Sequence, residues 1–176
     1  MFPLSVIDDR ARRLSLPYLL IGGHAVNVYA EPRATLDVDL LVQQEDKTRW
    51  VSMLSDEGFQ LSRDGGNFLQ FQPPYGTNWR LDLMLVNADT FQKLKADSRE
   101  VSSLGLRIIV PSPLHLIALK LHAMVHGPTD RYEKDFVDIV GIARNEKLDP
   151  QSELLGDIFA RFGTVEIYDR FKERLK

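Results

Sequence analysis

The sequence predicts an α+β fold: a mixed β-sheet core with flanking helices, followed by a small helical lobe. Three observations carry that expectation. Residues 18–42, YLLIGGHAVNVYAEPRATLDVDLLV, read as an apolar strand, a double glycine, a short helix and a second strand. Further short strand-like runs separated by turn residues follow up to Val110. Beyond Pro111-Ser112-Pro113, where two prolines break any continuing element, the pattern is entirely helical. The expected division is therefore a core over residues 1–110 and a helical lobe over 111–176, with a ligand cleft between them.

In chain order, Leu4–Leu14 reads as a helix with Asp8 and Asp9 near its start and Arg10, Arg12 and Arg13 toward its end, an order that suits the helix dipole. Those arginines are assigned to a solvated face. Strand Tyr18–Ile21, the turn Gly22-Gly23, a helix and the strand around Asp37–Val42 come next. Glu45–Glu57 has helical spacing and stops at Gly58. Phe59–Arg63 and Phe68–Gln72 flank the hairpin turn Asp64-Gly65-Gly66-Asn67. Pro73–Gly76 is a loop, Trp79–Val86 a strand and Ala88–Ala96 a short helix. Arg99–Ser103 and Leu106–Val110 pair about Leu104-Gly105. The lobe then contains helices at Leu114–Val125, Arg131–Asn145, Gln151–Phe162 and Val165–Leu175.

At 176 residues, 44% hydrophobic and 27% charged, the chain has the composition of an ordinary globular protein. It shows neither a membrane-length apolar run nor a basic-then-apolar N-terminal signal, so a cytoplasmic protein is expected. With no cysteine it has no disulfide, thiolate zinc site or cysteine nucleophile. A net charge of −3 gives no global attraction to nucleic acid, although a local basic patch would suffice for an RNA end.

The chemistry-bearing residues concentrate in the first strand–turn–helix–strand unit. Asp37 and Asp39, two apart on a strand, project from one face while Val38 and Leu40 point the other way. Like charges so placed call for a cation, and magnesium favours carboxylate oxygens. Gly22-Gly23 opens a helix whose free N–H groups suit phosphate. On the strand 79–86, Asp82 is a lone acid among apolar neighbours and needs a partner. That partner is either a group of the fold, such as Arg80 on the same face, or a metal.

In the lobe, Lys120 sits on a helix that is apolar nearly all round. It must either snorkel to the surface or meet an anion. Arg131, Lys134, Asp135 and Asp138 share an arc of the next helix, where i,i+4 pairing would make an exposed charge ladder. His122 and His126 are four apart, but with no intervening Glu in an HExxH pattern they are assigned to core and surface.

The order apolar strand, Gly22-Gly23, thirteen residues, Asp37-Val38-Asp39-Leu40 resembles the first motif of the DNA polymerase beta-like nucleotidyltransferase superfamily. Arg33-x-Thr35-x-Asp37-x-Asp39 is similar to its small prokaryotic branch, which includes the AbiEii-like toxins. The resemblance implies a nucleotidyltransferase core and transfer of NMP from an NTP to an acceptor hydroxyl. Magnesium or manganese would be held by Asp37, Asp39 and Asp82, with Asp82 also polarising the hydroxyl. It further implies nucleotide contacts from Gly22, Gly23, Arg33, Thr35, Lys120, Arg131, Lys134 and Asp135, with His24 a binding residue at most. Asp135 with Lys120 would orient the acceptor.

The expected partners are the nucleoside triphosphate, an RNA acceptor such as a tRNA 3′ end, and a cognate antitoxin. Only the acceptor end would be met, by a few of Lys120, Arg131, Lys134 and Arg80. The alternatives are an antibiotic nucleotidyltransferase with a small-molecule acceptor, and a non-catalytic nucleotide-binding or antitoxin-like module. Three intact carboxylates speak against the last.

Overall fold

Five short strands pair into a mixed sheet. The computed structural model describes residues 4–74, 79–103 and 105–176. Tyr75 and Gly76 of the expected loop, and Leu104 of the expected turn, lie outside the described residues. In chain order the sheet strands are β1 (Tyr18–Ile21), β2 (Val38–Gln43), β3 (Gln60–Asp64), β4 (Phe68–Gln72) and β5 (Leu81–Val86). β1 and β2 are nearly continuously buried, β4 and β5 alternate, and β3 is exposed. Their spatial order is β1-β2-β5-β4-β3. β2 and β5 run parallel at the centre, and the other neighbours pair antiparallel. Parallel strands need a long crossover, and the chain between β2 and β5 supplies one that contains a helix and the β3–β4 hairpin.

By contacts the chain divides into two units. The first, residues up to Ala25 with Ala34–Pro111, holds the sheet. It also contains α1 (Leu4–Arg13), the start of α2 (Gly22–Tyr29), α3 (Lys47–Asp56), α4 (Ala88–Ala96) and a separate hairpin of β6 (Arg99–Ser103) and β7 (Leu106–Val110). Its core takes Leu19, Leu20, Val38, Leu40, Trp50, Phe71, Leu83 and Phe91, all fully buried. Leu19 and Leu20 are adjacent in β1, which is buried on both faces, while Leu83 is on the buried side of alternating β5. The helix α1 arginines Arg12 and Arg13 are exposed, as expected of a solvated face, and they are also paired. Arg12 Nε donates to Asp8 at 2.8 Å and its Nη2 to the Arg107 carbonyl, and Arg10 meets Glu57 at 2.6 Å.

The second unit comprises Val26–Arg33 and Ser112–Lys176. Its helices are α5 (Pro113–His126), α6 (Tyr132–Asn145), α7 (Glu153–Phe162) and α8 (Val165–Arg174). Ser112 caps α5 by accepting from His115 N–H, with Pro113 in the first turn where its missing N–H costs nothing. Leu116, Ile117, Leu121, Phe136, Ile139, Phe159 and Phe171 are buried together in this unit. Among the described residues no helix is long and apolar enough to cross a membrane.

Several boundaries differ from expectation for local reasons. α3 starts at Lys47 and α6 at Tyr132, because a 3₁₀ turn occupies the preceding residues. α7 starts at Glu153, since Ser152 accepts from Leu155 N–H as its cap. β2 starts at Val38 and β5 at Leu81, which leaves Asp37 and Arg80 just outside both strands. His122 is exposed like His126, not core, and their rings lie 4.5 Å apart.

Candidate active site

The carboxylates of the first unit are positioned by strand register. β2 and β5 pair with Asp39 opposite Asp82, and β1 pairs with β2 so that Ile21 opposes Asp39. The ladder continues one step past both strand ends, because Val38 N–H donates to the Arg80 carbonyl at 2.8 Å. Asp37 therefore lies beside Arg80, as Asp39 lies beside Asp82. Residues two apart share a face, so three carboxylates and one guanidinium gather on one surface of the two central strands. Arg80 grips Asp37 with two hydrogen bonds, Nε to Oδ1 at 3.3 Å and Nη2 to Oδ2 at 3.0 Å.

Asp82 is the half-buried member. Its Oδ2 accepts from Gln70 Nε2 at 3.4 Å, across the β4–β5 pair where Gln70 opposes it. Its Oδ1 is buried with no hydrogen-bond partner. Burial, and next the negative charge of Asp39, push the Asp82 carboxyl up to about 6, against the downward pull of Gln70 and Arg80. A desolvated carboxylate with an unsatisfied oxygen is costly to keep unless a cation or donor arrives. Gln70 could be flagged in the sequence only as a polar residue between Leu69 and Phe71. Its strand register, which brings it to Asp82, depends on pairing across a loop that the pattern does not specify.

The glycines have a steric task in this arrangement. Gly22 opens α2 at φ +64°, and a Cβ there would come to 1.8 Å from Asp39 Oδ2. A Cβ on Gly23 would come to 2.6 Å from Thr35 Oγ1. The turn thus closes around the side chains of Asp39 and Thr35, a constraint nearer to hand than the phosphate approach expected from the sequence. His24 is buried in α2. Gly22→Ala is expected to leave the sheet folded but to displace Asp39, weakening Mn2+ binding at least about tenfold. Titration by electron paramagnetic resonance, with circular dichroism as the folding check, reads both. Unchanged Mn2+ affinity would mean that Asp39 plays no part in holding the ion.

The lobe residues form a separate cluster within the second unit. Lys120 neither snorkels nor stands free: its side chain is only 8% exposed, with Nζ 2.6 Å from Asp135 Oδ1 and 2.8 Å from Asp138 Oδ2. Arg33 completes the group by a bidentate pair with Asp138, both contacts at 2.8 Å. Asn27 holds the Arg33 backbone through its own amide, donating to the carbonyl and accepting from the N–H. The Arg33–Asp138 pair ties Val26–Arg33 to α6, as does the close approach of Ala30 to Gly141.

Burial pushes the Asp138 carboxyl up, but the Arg33 hydrogen bonds and the Lys120 charge outweigh it and leave a net lowering. Arg131 is half exposed and 3.9 Å from Asp135, whose Oδ2 has no hydrogen-bond partner. The exposed ladder on α6 is therefore corrected: Asp135 and Asp138 face inward. Lys134 stands exposed, and Asp138 is committed to Lys120 and Arg33 rather than to it.

Two groups of the expected residues are thus brought together: Gly22, Gly23, Thr35, Asp37, Asp39 and Asp82 on the sheet, and Arg33, Lys120, Arg131 and Asp135 in the lobe. The oxygen-only donors at Asp39 and Asp82, one oxygen buried and unsatisfied, fit a hard divalent ion. Among the described residues no three His, Cys, Asp or Glu side chains converge closely enough to hold a metal. Asp37 is committed to Arg80 instead.

A family model described as nucleotidyl transferase AbiEii toxin, type IV toxin–antitoxin system, matches residues 10–176. No curated protein matches the chain. Among solved structures it is similar to the antibiotic-resistance factor ANT(2'')-Ia, with TM-score 0.69 and 16% identity over 97% of this chain and 93% of that one. It is also similar to the lincomycin-bound lincosamide antibiotic adenylyltransferase LnuA, with TM-score 0.57 and 18% identity over 79% and 93%. The polyadenylate synthase of Megavirus aligns with TM-score 0.54 and 14% identity over 82% of this chain and 31% of that one. At these identities the likeness is one of fold.

Proposed function

This chain belongs to the AbiEii nucleotidyltransferase toxin family, and from that premise we propose that it moves NMP from a nucleoside triphosphate to a hydroxyl at an RNA 3′ end, using magnesium or manganese. The observation that carries the reading is the in-register pair Asp39–Asp82, with a buried Asp82 oxygen that lacks a partner. Asp39 and Asp82 would hold the divalent ion as they stand, and Asp37 would join them on leaving Arg80. Two such ions supply charge neutralisation at the attacking and leaving oxygens of an in-line displacement.

The remaining work falls to the chain's own residues. The acceptor hydroxyl oxygen forms a bond to the α-phosphorus, and the bond from that phosphorus to the bridging oxygen of pyrophosphate breaks. The hydroxyl proton passes to Asp82, the carboxylate this reading assigns to the acceptor side. Gln70 orients that carboxylate by donating to its Oδ2. The α2 N-terminus, with Gly22 and Gly23, faces phosphate with free N–H groups. In the lobe, Arg131 and Lys134 are the exposed cations suited to an RNA end. Arg33, Lys120 and Asp135 act in place, as the packed support of that face. An antitoxin is the protein partner the family suggests.

A small-molecule acceptor is the second reading, favoured by the near full-length likeness to ANT(2'')-Ia. One experiment separates them. Each α-labelled NTP is incubated with the enzyme and magnesium, with total RNA in one arm and an aminoglycoside and a lincosamide in the other. The expected result is label on a discrete RNA. Label on the antibiotic alone would overturn the acceptor, and no magnesium-dependent transfer in either arm would overturn the chemistry.

A further inference from the structure

Arg80 stands on the sheet surface among the carboxylates and takes no part in the transfer step itself. Its backbone is fixed beside Asp37 by the Val38 N–H bond to its carbonyl. Its side chain is 60% exposed, against 37% for Asp37. The pair is thus fixed at its backbone root and open to solvent at its tip. Around it lie three carboxylates, with Asp39 and Asp82 adding their attraction to that of Asp37. Arg80 is a cation already resident where a metal ion would gather the same acids.

Resting on the nucleotidyl-transfer reading, we propose that Arg80 holds Asp37 in the free protein and binds the phosphates of the nucleotide once Asp37 is given over to a divalent ion. Three physical points support the exchange. An exposed ion pair is worth about fivefold or less in an equilibrium constant, so Asp37 is surrendered at little cost. A divalent cation attracts the carboxylate more strongly than one delocalised positive charge spread over a guanidinium. The guanidinium fork that fits a carboxylate fits phosphate oxygens equally well, so Arg80 has somewhere to go when the triphosphate arrives. Movement is short, since the nucleotide's phosphates must come to the ions that Asp37 and Asp39 hold. A salt bridge meant only to join β2 to β5 would have no need of so exposed a side chain, because backbone hydrogen bonds already join those strands.

The exchange gives a pair of effects with opposite signs. In Arg80→Ala the competitor for Asp37 is gone, so Mn2+ alone should bind about fivefold tighter. The manganese complex of inorganic triphosphate should bind about tenfold weaker, having lost a bidentate partner. Arg80→Lys keeps the charge and loses the fork, so its Mn2+ affinity should stay near wild type while triphosphate binding falls. Electron paramagnetic resonance reads free Mn2+ and isothermal titration calorimetry reads the triphosphate complex.

If Arg80→Ala changes neither affinity, or moves both in the same direction, Arg80 is only a surface ion pair and the proposal is overturned. The Asp39→Asn variant separates this from failure of the underlying chemistry. Should wild type and Asp39→Asn bind Mn2+ equally poorly, the metal reading falls and takes the proposal with it. A normal loss in Asp39→Asn beside an unresponsive Arg80→Ala overturns the Arg80 proposal alone.

Discussion

Asp39→Asn should lower nucleotidyl transfer by about 10³-fold or more while leaving the protein folded and slightly more stable. Asp39 occupies the centre of the site: opposite Asp82, beside Ile21 and against the space that Gly22 leaves open. No neighbouring acid can take its place, since Asp37 and Asp82 have positions of their own in the same reading, beside Arg80 and Gln70. The effect on stability runs the other way, because Asp82 is held up to about 6 by burial first and by Asp39 second.

A carboxyl whose folded pKa is raised stabilises the fold when protonated. That contribution is present below the ordinary aspartate range, about 3.9, and is lost as pH rises through about 6. Removing the Asp39 charge lowers the Asp82 pKa and reduces this loss, by on the order of 1 kcal/mol after allowance for solvent screening of a partly exposed group. Urea unfolding in a chelator at pH 4.5 and pH 7.5 should show the variant gaining over wild type only at the higher pH. Transfer within tenfold of wild type would remove Asp39 from the catalytic set.

What the sequence discloses and what it conceals follow a physical line. Strand β4, helix α4 and the hairpin β6–β7 have the boundaries expected, because turn residues fix both ends locally. The Gly22-Gly23 and Asp37-Val38-Asp39 spacing is likewise local information, and the family match extends over residues 10–176. Partners across strands are not local. Parity places Arg80 and Asp82 on one face, but only the β2–β5 register decides that Arg80 meets Asp37 and not Asp82.

The α6 acids illustrate the same limit. Spacing of three and four offers Asp135 and Asp138 to Arg131 and Lys134 as readily as to the core. The signal for the core lay elsewhere: Asp135, Asp138, Ile139 and Ile142 follow one buried stripe. A lysine on the apolar helix α5 also demanded buried acids nearby.

Lys120→Met is expected to cost about 3–5 kcal/mol of stability. Among the described residues the lysine is the one short ionic contact of Asp135, which is fully buried and already has one oxygen without a hydrogen bond. Arg131, half exposed and 3.9 Å away, offers weak compensation. Asp138 would keep Arg33 and suffer less. Its net lowered pKa means that it stabilises the fold above the ordinary aspartate range, a contribution lost as pH falls through its folded value. Acid should therefore narrow the gap between wild type and variant.

The double change Lys120→Met with Asp135→Asn should recover part of the loss, since no unpaired charge is then left inside. Urea unfolding of the three proteins measures the set. If Lys120 worked chiefly by reaching the triphosphate, the single variant would lose nucleotide affinity and keep its stability. A cost below about 1 kcal/mol, with no rescue in the double variant, would return Lys120 to the role of a binding residue. The bonds at 2.6 and 2.8 Å to two inward-facing carboxylates argue for the structural role.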